Sequence, residues 1–216
     1  MTKKHCWAGV VLLLVTASGP PVAEATVIDF ETPETSTAPE SLPGGTYASS
    51  GVSFQTGAIS GLVVGGGTIT FAFESATFRM YEGSNAISGD QFIGADVGGG
   101  ARDLLMQFST PVTSVSVVSD ATVGEGPDII RLIALKALGG GSYEVLAYAS
   151  AFDDAPTGTF MSISLPSDEF SYVLFEVTTE QEGFDDLTFT PVPEPTTVAL
   201  LGAGLVALRA RRRRSA

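Results

Sequence analysis

The sequence predicts an all-β domain, an antiparallel β-sandwich, set between two terminal segments of different chemistry. Between Thr26 and Thr190 the chain is Gly, Ser and Thr with short β-branched and aromatic runs, broken at intervals of about eight to twelve residues by turn signals. Where a run is long enough to test, its period is two. Val115 and Val117 alternate with Ser114 and Ser116, and Leu187 and Phe189 alternate with Asp186, Thr188 and Thr190. Such strands have one dry and one wet face, as in an antiparallel sandwich.

Taken in order, the candidate strands are Thr26 to Glu31, Gly51 to Thr56, Gly67 to Ser75, Asp103 to Ser109 and Val112 to Ser119. They continue with Ile129 to Ala137, Ser142 to Ser150, Thr159 to Leu165, Tyr172 to Thr179 and Asp186 to Thr190. Ten strands fit two packed sheets. The run IIRLIALKA suits a helix by composition, but its length of nine and the GGGS that follows favour a strand entering a hairpin. Thr32 to Gly45, rich in Pro, Gly and hydroxyls, reads as a long surface loop. The glycine clusters at Gly65 to Gly67 and Gly98 to Gly100 lack the Gly-Lys-Ser/Thr ending of a phosphate loop and read as turns. The acidic, glycine-bearing stretch Asp120 to Asp128 reads as a charged loop.

The N-terminus has the composition of an export signal. Lys3 and Lys4 precede the apolar run AGVVLLLVTA, and Ala23-Glu24-Ala25 gives a small-x-small cleavage site, so residues 1–25 are expected to be a signal peptide and Thr26 the mature start. The apolar run is shorter than the ~18 to 20 residues of a spanning helix. Removing this peptide also removes His5, Cys6 and Trp7, the sole His, Cys and Trp of the chain. A cysteine nucleophile, a Cys-zinc site and a Ser-His-Asp triad are thereby excluded from the mature protein, which must be held by its core rather than by disulfides.

Charge narrows the partners. From Thr26 to Pro191, 22 acidic residues stand against Arg79, Arg102, Arg131 and Lys136, a formal charge of −18. A body of that sign does not neutralise phosphates, so nucleic acid is not an expected partner. Bound cations could relieve the repulsion, which makes a structural calcium the cofactor to look for.

At the C-terminus, PVPEP is followed by an apolar stretch from Thr196 to Leu208 and then by Arg209, Arg211, Arg212, Arg213 and Arg214. Thirteen residues make a helix of about 20 Å, short for a membrane span. The arginines fix its orientation by staying cytoplasmic while the body lies outside. Pro193, Glu194 and Pro195, the short apolar stretch and the basic end together resemble the PEP-CTERM sorting signal. That resemblance covers residues 191–216 and implies an exosortase as partner. It further implies a transient hold in the inner membrane through a short transmembrane helix, cleavage near the motif, and release to the cell surface or outside, commonly alongside exopolysaccharide production. The prolines keep the motif extended and out of helix.

A looser resemblance covers residues 26–190. VIDFE, YASSGVSF, FSTPVTSVSVV and GFDDLTF look like the β-sandwich domains of PEP-CTERM proteins, which are similar to galactose-binding-like jelly rolls and carbohydrate-binding modules. The resemblance implies that the first and last strands lie together, with calcium held by Asp29 or Glu31 after the first and by Asp185 or Asp186 at the last. Carboxylates and carbonyls are the ligands calcium requires. A sugar platform would have to use tyrosine, and Tyr47 and Tyr81 flank glycine-rich loops, whereas Tyr148 and Tyr172 fall in strands and are expected in the core. Glycoside hydrolysis would need two carboxylates about 5 to 9.5 Å apart. Asp153-Asp154 and Asp185-Asp186 are adjacent residues, which point to opposite faces of a strand, and no enzyme activity is expected. The expected role is structural or adhesive in an exopolysaccharide matrix, with a calcium-dependent carbohydrate-binding module as the alternative and a glycoside-active enzyme behind both.

Overall fold

The computed structural model describes residues 23–31, 40–61, 66–82, 91–94, 103–120, 128–153, 158–177 and 183–192, and Ala23–Val192 form a compact unit. The strands are β1 (Thr26–Ile28), β2 (Glu40–Pro43), β3 (Val52–Ser60), β4 (Gly67–Ser75), β5 (Thr77–Glu82), β6 (Gln91–Gly94), β7 (Asp103–Asp120), β8 (Asp128–Gly139), β9 (Ser142–Asp153), β10 (Thr159–Ser164), β11 (Phe170–Val177) and β12 (Gly183–Pro191). All their pairings are antiparallel. The all-β expectation holds, and β4 has the bounds read from the sequence.

Differences from that reading have local causes. The two runs placed either side of Pro111 are one strand, β7. Its first part, Asp103 to Phe108, pairs with β3 and β11, and its second, Val112 to Asp120, pairs with β12 and β10, with Phe170 of β11 still opposite Val112. Pro111, which has no N–H to give to a ladder, falls where β7 exchanges one set of partners for the other. Three strands went unread. β2 lies inside the Pro-rich stretch expected to be loop, β6 is four residues long, and β5 hides a period-two signal in which buried Phe78 and Met80 flank Arg79.

The pairings divide the fold in two. β7, β12, β6, β5 and β2 run in order as one layer, with β10 on the other side of β7 and β1 on β12. The second layer closes on itself, because β3 pairs with β4, β4 with β9, β9 with β8, β8 with β11, β11 with the first part of β7, and β7 with β3. Ile59, Ile69, Phe71, Leu105, Ile133, Leu135, Val145 and Leu174, contributed by all six strands, form the small core inside this ring. The larger core lies between the layers and takes the alternate residues of the same strands: Leu104 and Met106, Leu132 and Ala134, Val173 and Phe175.

This explains the sequence of β7, β8 and β11. A strand buried on one face alternates, whereas a strand buried on both is continuously apolar, and DLLM, LIAL and YVLF are of the second kind. β3 serves both cores by changing faces. Phe54 points into the large core, a register shift follows between Thr56 and Gly57, and Ile59 packs on the small one. Gly57 is required there, since a methyl at that position would run into the Ala72 carbonyl oxygen and the Phe71 ring.

Candidate functional site

The first and last strands do lie together. β1 pairs with β12, Ile28 opposite Leu187, and the four candidate carboxylates stand at this junction. Just past β1 the chain turns sharply, with Phe30 at φ 59°. That left-handed conformation costs a non-glycine residue roughly 1–2 kcal/mol. The Phe30 ring offsets it by filling the centre of the large core, 5.3 Å from the Tyr47 ring, 5.7 Å from Phe184 and 6.2 Å from Phe54.

The carboxylates on either side of Phe30 tie the turn down. Asp29 Oδ1 accepts the Glu31 N–H at 3.3 Å, and Glu31 Oε1 accepts the Gln91 N–H at 3.1 Å, while Gln91 Nε2 donates to the Glu31 carbonyl at 3.3 Å. Buried Gln91 thus clamps β6 to the end of β1, a role that sequence reasoning missed because a lone Gln beside a short strand carries no pattern. On β12, Asp185 is fully buried and its Oδ1 accepts the Asp186 N–H at 2.7 Å. Asp186 takes φ 49°, in a register shift of β12 against β7. Aspartate tolerates that conformation better than most residues because its short side chain bonds locally.

Calcium needs six to eight oxygens. Among the described residues, no three His, Cys, Asp or Glu side chains stand close enough to hold a metal ion. The structure brings the four candidates to one junction, where the carboxylates of Asp29, Glu31 and Asp185 accept backbone N–H groups.

Tyr47 is a core residue rather than a sugar platform. Its ring packs edge-on to Phe30 and Phe54 and also meets Phe78, and its hydroxyl points to the Phe30 carbonyl at 3.5 Å. Burial pushes its pKa well above the ordinary value, and the Asp29 and Glu31 carboxylates add to the shift. Tyr81 lies in β5 opposite Phe92, and its side chain lies outside what the structure describes. Tyr172 is half-buried, its ring edge-on to Tyr143 with centroids 5.3 Å apart, beside the small core. Tyr148, expected inside, is 40% exposed; it lies opposite Ile133, on the face of β9 that also carries Phe152, 69% exposed.

A further polar row on the ring strands was not read from the sequence. Buried Asp103 accepts the Ile59 N–H at 2.8 Å through Oδ2, and Arg131 Nη1 donates to Glu176 Oε1 at 2.7 Å across the β8–β11 pair. An arginine and a glutamate set inside otherwise apolar runs were the available signal.

An open depression of about 480 Å³ adjoins the junction, bordered by Val27, Asp29, Thr46, Tyr47, Ser49 and Ser50, and another of about 210 Å³ lies between Gly51 and Phe108. Of the other residues singled out in the sequence, Asp153 ends β9 opposite Asp128. Asp154, the signal peptide, Pro193 to Pro195, the apolar stretch and the arginines lie outside the described residues. Among those described, no helix is long and apolar enough to cross a membrane.

Residues 191–214 match the PEP-CTERM protein-sorting motif. The chain carries a PEP-CTERM sorting signal. It is therefore an exported protein sorted by an exosortase and held transiently at the membrane before cleavage. No curated protein matches the chain. By structure it is similar to the K2 cleaved adhesin domain of Lys-gingipain, at 14% identity, TM-score 0.41, over 77% of this chain and 99% of that one. It is also similar to TmCBM61 in complex with β-1,4-galactotriose, at 12% identity, TM-score 0.30, over 61% of this chain and 87% of that one.

Proposed function

We propose that the domain is a non-enzymatic, structural or adhesive protein that exosortase sorting delivers to the cell surface or extracellular matrix, where it works among exopolysaccharide. The observation that carries this reading is the sorting motif at 191–214 behind a strongly acidic body. The fold supports it in a plain way. Among the described residues, Asp29, Glu31 and Asp185 accept backbone N–H groups that hold the β1 and β12 turns, and the depression beside Asp29 is open.

A second reading, that the domain itself holds polysaccharide, is favoured by Tyr148 and Phe152. They are exposed on one side of β9 with Ser150 between them, about 13 Å apart at ~3.3 Å per residue. Aromatic faces separated by a hydroxyl suit stacking on sugar rings.

One experiment separates the two. Residues 26–192 are applied to immobilised exopolysaccharide of the producing bacterium in calcium and then in chelator. No retention leaves the structural reading. Retention abolished by Tyr148→Ala and Phe152→Ala replaces it with a carbohydrate-binding module, calcium-dependent if chelator also releases the protein.

A further inference from the structure

We propose that the free edge of β10 joins two copies of this chain, β10 against β10 across a two-fold axis, extending the layer of β7 and β12 from one molecule into the next. This rests on the strand edges and not on the matrix reading. β10 pairs with β7 along Thr159 to Ser164, and among the described residues no strand pairs with its other side. An unpaired strand edge presents a row of N–H and C=O groups that another strand can complete.

The edges differ in how they are protected, and among the described residues β9 beyond Val145 is, like β10, paired on one side only, ending on Asp153. β1 has three residues, and β2 has four and carries Glu40 and Pro43. Short length, charge and proline are the devices that discourage edge pairing. β10 has six residues and none of these devices, and the surrounding stretch Gly158 to Ser167 contains no charged residue. In a body of formal charge −18, copies repel one another over most of their surface. A neutral segment with an open edge is where two such bodies can approach, and a strand of the same composition is the occupant that brings no repulsion. Phe160, 67% exposed on this strand, would gain cover from the facing strand.

The pleat restricts the geometry. Met161 and Ile163 point into the core, whereas Phe160, Ser162 and Ser164 point outward. Residues directly opposite in an antiparallel pair share a face, so a continuous sheet requires outward residues to meet outward residues. The axis then passes through Met161 or Ser162.

The test uses residues 26–192, the unit with its own cores. Sedimentation is followed up to about 1 mM and from ~0.05 to ~0.5 M NaCl. The expected result is a monomer–dimer equilibrium that tightens with salt, as repulsion between acidic bodies is screened. The mature chain lacks cysteine. Ser162→Cys should therefore cross-link as a dimer with a short bismaleimide, while Ser49→Cys, on an exposed turn elsewhere, should not. Ser162→Glu or Ser164→Glu, with an unchanged circular dichroism spectrum, should leave monomer only. A monomer at every concentration and salt overturns the proposal, and so does a dimer that both glutamate variants leave intact. A dimer in which the two cysteines cross-link equally overturns it as well, since the contact would then lie elsewhere.

Discussion

Leu174 and Phe175 are neighbours on β11, yet one is buried in the ring core and the other in the core between the layers. Leu174→Ala tests that arrangement. The truncation removes three buried carbons at about 0.8 kcal/mol each, and the cavity left inside a closed ring adds to this, for a total of about 3 kcal/mol. In a domain of this size that lowers Tm by roughly 6–12 °C. Urea unfolding, followed by far-UV circular dichroism with tyrosine fluorescence as a second signal, should show an earlier midpoint with the slope unchanged. Ile163→Val, in the other core, should add to it within about 0.5 kcal/mol. A loss below about 1 kcal/mol for Leu174→Ala would mean that the residue lies on an open sheet face and that β4 does not close the ring, refuting the two-core account.

Phe30→Ala should cost about 3–5 kcal/mol through the lost ring. Phe30→Gly should be no worse and up to about 1 kcal/mol better than Phe30→Ala, because glycine takes φ 59° without strain; an alanine variant clearly more stable than the glycine one would contradict the left-handed turn. Tyr47 stays protonated in the fold after the tyrosines of the unfolded chain ionise near pH 10. Its contribution is therefore complete below that pH and lost as pH rises further, and Tyr47→Phe should show a shallower alkaline fall in denaturation midpoint than the parent. Calcium at ~1 mM should move Tm by less than about 2 °C relative to chelator, since Asp29, Glu31 and Asp185 already accept backbone N–H groups; a rise above about 5 °C would show that the junction carboxylates assemble around the ion.

The parts of this fold that were legible in the sequence are those where one physical demand acts alone. Val115 and Val117 face a single core and alternate, and β4 is bounded by glycine at its start, so both could be read. β8 was read as a strand from its length and the hairpin that follows rather than from a period, because IIRLIALKA answers to two cores at once. β7 was split at Pro111, where the interruption marks a change of partners rather than an end. At the junction, the pairing of first and last strands and the position of the four acids could be anticipated. What the acids do could not, because Gln91 and the Phe30 turn, which use them, are set by contacts distant in sequence. Tyr47 looked like a loop residue beside Gly44 and Gly45, yet its ring is drawn inward by Phe30, Phe54 and Phe78.

The central claim is that the C-terminal segment is a sorting signal removed on export, and the intact mass of the protein recovered from the surface and medium of the producing bacterium tests it most directly. The account predicts a chain that begins at Thr26, ends near Pro193 to Pro195 and lacks the arginines. A surface form that retains Arg209 to Arg214, or a protein found only in the membrane fraction with that tail intact, would contradict it.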